Sequence, residues 1–240
     1  MAKEPKTMPL KVTAKLSNDK FQSNDGLIML DGILYHAWFQ KHHPEVLETG
    51  QYERSESETG RRGGDRYIGL PLRQLPGNRW AASMGVYEQL SQTIECGNDR
   101  IDFFATVGVA NMGQYRASKP PAVIRTVKDG LIDFYCIGNK AALLDLLSHI
   151  HAIGKSQEIG AVSEWTATEI ENDYSLMHPK YGLMRPTPVE EMQLDGYAIM
   201  DYAVKPPYHN PKNKKKCYIP KMVLSAGENV RPPKAVKIRV

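Results

Sequence analysis

Three features of the sequence predict an α+β fold. Leu10–Leu16 alternates apolar with polar residues, the period of a half-buried strand. Ala122–Val127 and Leu131–Ile137 are two β-favouring runs separated by Lys128-Asp129-Gly130. Between Asn139 and Gly154, Leu143, Leu146, Leu147, Ile150 and Ile153 recur at helical spacing.

Each element follows from local chemistry. After the first strand, Ser23-Asn-Asp-Gly26 offers capping residues, and Leu27–Phe39 is apolar almost all round, which predicts a buried helix limited by Pro44. Residues 48–66 mix four glutamates with Arg54, Arg61, Arg62 and Arg66 around Gly60, Gly63 and Gly64; too little apolar material remains to pack, and a mobile loop is expected. Arg79–Ser83 reads as a short strand, residues 85–92 as a turn or helix, and Arg100–Val107 as another strand. Asp129-Gly130 then predicts a β-hairpin joining the runs on either side of it. Asn139 caps the following helix and Gly154 stops it. Ala161–Thr168 forms the next strand, and further strands are expected near residues 196–204 and 234–240. The order strand, helix, strands, helix, strand fits a split β-α-β, ferredoxin-like core over residues 1–168, embellished by insertions, with a β-rich extension over 169–240 packed on it.

Composition narrows the class. The chain has 240 residues, 41% hydrophobic and 24% charged, the range of an ordinary globular protein with a buried core. No apolar run approaches the roughly 18 residues of a membrane span, and the N-terminus lacks the apolar core of an export signal, so no membrane association and a cytoplasmic location are expected. Cys96, Cys136 and Cys217 are widely spaced and odd in number, which predicts neither a disulfide framework nor a zinc site. The net charge of +4 implies weak attraction to polyanions; its distribution has to decide.

Few segments carry chemistry. Ile153-Gly-Lys-Ser-Gln-Glu-Ile-Gly160 ends like a phosphate-binding P-loop, but His149 stands where that motif needs glycine, and a helix precedes it in place of a strand. It reads instead as a glycine-bracketed turn whose backbone N–H groups and Lys155 are suited to a phosphate backbone, or as an ordinary helix-to-strand turn. From Tyr202 to Gly227 there is no acidic residue, while Lys205, Lys212, Lys214, Lys215, Lys216 and Lys221 accompany Tyr208, His209 and Tyr218. Basic groups interleaved with rings suit a single nucleic-acid strand, because lysines neutralise phosphate and rings stack on bases; a solvated loop is the competing reading. Seven histidines show no metal-ligand spacing, so neither a metal site nor a cofactor is expected. His36 is the one candidate general acid or base, against a simple packing role beside Ile33, Trp38 and Phe39.

Taken in order, Leu30-Asp-Gly-Ile-Leu-Tyr35, Leu70-Pro-Leu72, Trp80-Ala-Ala-Ser83, the Ile153-Gly-Lys155 turn, Trp165, Asp173-Tyr-Ser-Leu176, Met184-Arg-Pro-Thr-Pro188, Pro206-Pro-Tyr208, Cys217 and Pro220 resemble the RAMP superfamily of CRISPR proteins. The likeness is greatest to the Cas-five-like subunit of type IV effectors, the Csf-three family, and covers about residues 10–222. It implies an RRM-like ferredoxin core with a glycine-rich loop matching Gly154–Gly160, although Gly160-Ala-Val162 stands where relatives end in Gly-x-Gly. It also implies a noncatalytic subunit of an antiviral or anti-plasmid ribonucleoprotein. Such a subunit binds the 5′ handle of the CRISPR RNA and caps one end of the effector's backbone, contacting a backbone subunit and the large subunit near target DNA. On that reading Gly154, Lys155, Ser156, Gln157, Gly160, Arg185, Lys214, Lys215 and Lys216 are the expected RNA contacts. Arg61, Arg62, Arg66 and Arg116 are further expected RNA contacts, and residues 48–66, or 108–121 with Arg116 and Lys119, form a thumb-like loop. The alternative within the superfamily is a metal-independent endoribonuclease that processes precursor RNA with His36.

Overall fold

The structure, a computed structural model, describes residues 7–23, 26–44, 68–95, 122–154, 156 and 158–221. Within them the chain is mixed α and β, with antiparallel sheets and two helices. The central sheet places β1 (Met8–Leu16) between β7 (Leu131–Gly138) and β8 (Val162–Glu169), both antiparallel to it. The predicted alternation holds: Leu10, Val12, Ala14 and Leu16 of β1 are buried on one face. There they meet Ile132, Phe134 and Cys136 of β7.

Two helices cover that face. Helix α1 (Leu30–His42) contributes Leu30, Leu34 and Ala37 to the core, and α2 (Lys140–Leu147) contributes Leu143, Leu146 and Leu147. They pack on each other and are joined at the surface by Lys41 and Asp145. On the free side of β7 an antiparallel segment runs from Leu72 to Val86, bridging Gly138, Cys136 and Asp133 in turn. A small excursion interrupts it, β3 (Gln74–Leu75) paired with β4 (Arg79–Trp80).

A second sheet holds β2 (Lys20–Gln22), β6 (Ala122–Val127) and β5 (Gln89–Glu95) in the order β2-β6-β5. Residues 177–183 make a short ladder of β9 (Met177–His178) and β10 (Gly182–Leu183). A third sheet has β13 (Lys214–Ile219) between β11 (Thr187–Pro188) and β12 (Ala198–Ala203).

Several sequence expectations change. Residues 122–127 and 131–138 are strands and Asp129-Gly130 does turn the chain with φ of 54° and 62°, but the two strands do not pair. β6 joins β2 and β5 while β7 joins β1, because the turn delivers them to different sheets. Residues 85–92, read as turn or helix, instead carry the Val86 bridge to Asp133 and the start of the edge strand β5. Helix α1 starts at Leu30, three residues later than expected. Ser23 Oγ accepts from the Gly26 N–H rather than capping the helix. Asn139 does cap α2, its side chain accepting from the Ala142 N–H. That helix nevertheless ends at Leu147, and Ile150 and Ile153 are buried from irregular backbone. The carbonyl of Ile150 accepts from the Trp165 indole and the N–H of Ile153 donates to Gly160, so the helical ladder is given up to tertiary partners. The strands expected at 100–107 and 234–240 and the loop at 48–66 lie outside the described residues.

Candidate nucleic-acid interface

The glycine-bracketed turn is seated on the first two strands. Gly154 bridges Gln22 of β2 in parallel, the Ser17 N–H donates to the Ala161 carbonyl, and Asn18 Nδ2 donates to the Glu158 carbonyl at 3.0 Å. Gly154 has φ of 88°, a left-handed conformation that favours glycine. It is not the helix stop expected of it, because α2 has already ended at Leu147. A Cβ on Gly154 would overlap the Gln22 carbonyl, and one on Gly160 the Ile153 carbonyl. Both glycines are demanded by backbone approach within the fold. The N–H groups of Ile153, Ile159 and Gly160 are spent inside the turn, on Gly160 O, Ser156 Oγ and Ser156 O. These three donors are occupied and do not serve an anion at the turn. Lys155 and Gln157 lie outside the described residues, while Ser156 is part of the turn's own bonding. On β2 alongside, Lys20 is exposed and makes no ion pair among the described residues.

The lysine run is a strand, not a loop. Lys214, Lys215 and Lys216 open β13 with all three side chains exposed, before Cys217, Tyr218 and Ile219 turn into the interior. Successive strand residues face opposite ways, so Lys214 and Lys216 share one face and Lys215 the other. Lys215 pairs with Glu190, whereas Lys214 and Lys216 make no ion pair among the described residues. Asp201 stands opposite Lys216 in the ladder. Of the rings expected to interleave with these lysines, His209 is exposed, but the two tyrosines do not stand free. Tyr218 is 8% exposed, and Tyr208 is turned toward α1.

Arg185 corrects the expectation attached to it. It is 1% exposed, and its guanidinium donates to the carbonyls of Trp80, Ala82 and Val204 and pairs with Asp31 at 3.4 Å. An arginine so placed cannot meet an RNA phosphate. Its Nε is the one buried side-chain polar atom without a partner among the described residues. Asp31 is fully buried and accepts from the Tyr208 hydroxyl at 2.6 Å. Burial pushes the Asp31 carboxyl above its ordinary pKa while Arg185 and Tyr208 pull it down, and burial raises the Tyr208 phenol. Gly32 lets the Tyr208 ring approach; a Cβ there would meet it at 3.1 Å. Asp31 and Gly32 were not among the expected site residues, and Tyr208, expected as a stacking ring, serves this buried contact instead. The signal for Asp31 is an acid inside an otherwise apolar helix, which burial obliges to find a partner.

His36 lies on the exposed side of α1, not packed inward, and desolvation by the surrounding protein holds its imidazole below its ordinary pKa. Arg61, Arg62, Arg66, Arg116 and both thumb candidates lie outside the described residues. Among the described residues no group of three His, Cys, Asp or Glu side chains is placed to hold a metal ion, and no helix is long and apolar enough to cross a membrane. The turn is hydrogen-bonded to Ser17 and Asn18, between β1 and β2, whereas β13 is laddered to β11 and β12.

Comparison with curated proteins finds no match. The family model for CRISPR type IV associated protein Csf3 matches residues 84–220, more than half the chain, from the strand segment beside β7 through the glycine-bracketed turn, Arg185 and Tyr208 to the end of β13. The chain therefore belongs to the Csf3 family of type IV CRISPR associated proteins.

Proposed function

We propose that this type IV CRISPR subunit is noncatalytic, binds the 5′ handle of the CRISPR RNA and caps one end of the effector's backbone. There it would contact a backbone subunit and the large subunit near target DNA, in the cytoplasm. The observation that carries the reading is β13, where Lys214, Lys215 and Lys216 stand consecutively exposed on a rigid, paired strand. Lysines on a strand whose backbone is already fixed neutralise phosphates without the ordering cost of a free loop. A subunit of an RNA-guided complex needs only shape and backbone recognition, because base pairing reads the target.

The architecture supports the same reading. We infer a ferredoxin-like core from the order β8, β1, β7 and the 72–86 segment with both helices on one face, which is the strand order of a split β-α-β unit. On this reading residues 1–168 form the core and residues 169–240 a β-rich extension. With Arg185 withdrawn from the surface, the RNA contacts become Lys214, Lys215 and Lys216, with Ser156, Lys155 and Gln157 at the turn.

The test is incubation of the purified protein, without added metal, with end-labelled repeat RNA and with mature CRISPR RNA. Binding of the mature RNA, weakened in the Lys214→Ala/Lys215→Ala/Lys216→Ala variant with a salt slope shallower by about 2, is the expected result, at roughly 0.7 per phosphate contact on a single strand. An unchanged slope would remove β13 from the interface. Site-specific cutting of the repeat that disappears in His36→Ala would instead make the protein a processing nuclease.

A further inference from the structure

The lysine strand begins at the tip of the hairpin formed by β12 and β13, and that tip is bolted to the start of α1. Between the strands, residues 204–213 close the hairpin: the Val204 N–H donates to the Asn213 carbonyl at 3.0 Å, and Asn213 Nδ2 donates to the carbonyls of Lys205 and Pro207. Tyr208 projects from this tip, its ring against Gly32 and its hydroxyl on Asp31. Arg185 holds the other side, donating to the Val204 carbonyl at 2.9 Å while pairing with the same Asp31. Ala203 is the ladder partner of Lys214, so the buried joint ends one residue from the first exposed lysine.

Resting on the RNA-binding reading of β13, we propose that Asp31, Gly32, Arg185 and Tyr208 are positioning residues for RNA: the joint they form sets where Lys214, Lys215 and Lys216 present their charges relative to the core. Two features of the chemistry require an oriented joint and not a merely greasy one. A buried carboxylate shared by a guanidinium and a phenol accepts only from defined directions, so it fixes the hairpin's angle as well as its contact. The close approach at Gly32 sets the spacing, since an added methyl group would press on the ring. An apolar patch of the same area would hold the hairpin but tolerate sliding. The RNA itself touches none of the four residues in this scheme; it meets only the lysines.

Tyr208→Phe removes one hydroxyl from the joint and leaves every surface charge in place. Gly32→Ala displaces the same ring by a different route and serves where the first variant is too mild. The affinity of the whole protein for labelled mature CRISPR RNA, titrated against salt, is measured for each variant in the wild-type background and in the Lys214→Ala/Lys215→Ala/Lys216→Ala background. The expected result is a loss of about threefold to tenfold in the wild-type background, the size of one phosphate contact forgone. In the lysine-free background no further loss is expected, because the displaced charges are already gone. Equal losses in both backgrounds would show that the joint acts through general integrity of the fold and overturn the proposal, as would no loss in either. If the lysine variant binds RNA as wild type does, the reading of β13 itself falls and the proposal with it, an outcome recognisable before any joint variant is measured.

Discussion

The glycine-bracketed turn and the β12–β13 hairpin are both fastened to the N-terminal half of the chain, by opposite means. The turn is held by backbone fit: two positions have no room for a side chain, and its own N–H groups close it. The hairpin is held by buried charge, with Asp31, Arg185 and Tyr208 exchanging hydrogen bonds out of reach of water. The first anchor fails by steric overlap and the second by orphaned polarity. A glycine-rich stretch can look like a ligand loop when its glycines serve the fold, and an arginine can look like a phosphate contact when it serves a joint.

The largest effect is expected at the charged anchor. Asp31→Ala leaves the Arg185 guanidinium buried and unpaired, which costs about 3–5 kcal/mol, a fall of roughly 10 °C in melting temperature for a chain of this size. Adding Arg185→Leu should cost less in this background than in the wild type, because the uncompensated charge goes with it although the carbonyls of Trp80, Ala82 and Val204 lose their donor. Thermal melts of the two single variants and the double variant measure the coupling; strictly additive losses would mean the pair is not a unit.

The steric anchor comes next. Gly160→Ala, which drives a Cβ onto the Ile153 carbonyl, is expected to cost about 1–3 kcal/mol, since relief requires backbone to move. Gly77→Ala is the contrast: its φ of 75° is left-handed, which that of Gly160 is not, and its nearest neighbour is the end of Arg79 at 3.9 Å, so it meets the conformational cost without the overlap, about 1 kcal/mol. Equal destabilisation by the two would show that close approach is not what Gly160 provides.

A smaller effect is set by pH. Burial pushes the Tyr135 phenol and the Cys136 thiol up to about 12, and the Cys217 thiol up to about 11. The folded protein keeps these protons at pH values where the unfolded chain has released them. Their contribution is fully present below about pH 9 and is lost as pH rises from there toward about 12, so urea midpoints should fall across that window. In a Cys96→Ser background, neither remaining thiol should react with a disulfide reagent at pH 8 until the protein is unfolded. Rapid reaction of the native protein would contradict the burial of Cys136 and Cys217.

The smallest stability change belongs to the lysine strand. Lys214→Ala/Lys215→Ala/Lys216→Ala should alter stability by no more than about 0.5 kcal/mol per site, because the side chains are exposed and the Lys215–Glu190 pair is a surface pair. Set beside the loss of RNA affinity expected for the same variant, this separates the presenting surface from the joint behind it.

Much of the scaffold was legible in the sequence. The alternation of Leu10–Leu16, the Asn139 cap, the turn at Asp129-Gly130 and the strand through Trp165 are set by residues a few positions apart, and local patterns record them. What lay beyond reach was partnership. That β6 turns away from β7, that α2 stops at Leu147, and that the lysine run is a strand all depend on groups far along the chain. The candidate site divides in the same way. Exposed lysines announce themselves by composition, while Arg185 carries the same charge and is buried, because its partners Asp31, Trp80, Ala82 and Val204 come from three other segments.

By itself, then, the sequence determined the period of its strands and helices, the positions where its turns bend and the basic surplus of its C-terminal part, since each is a property of neighbours. Only the tertiary structure decided which basic groups face water and which are locked in a joint, and which glycines are required by contact. A buried charge is tolerated only where distant donors and acceptors converge on it, and that convergence exists nowhere but in the folded chain.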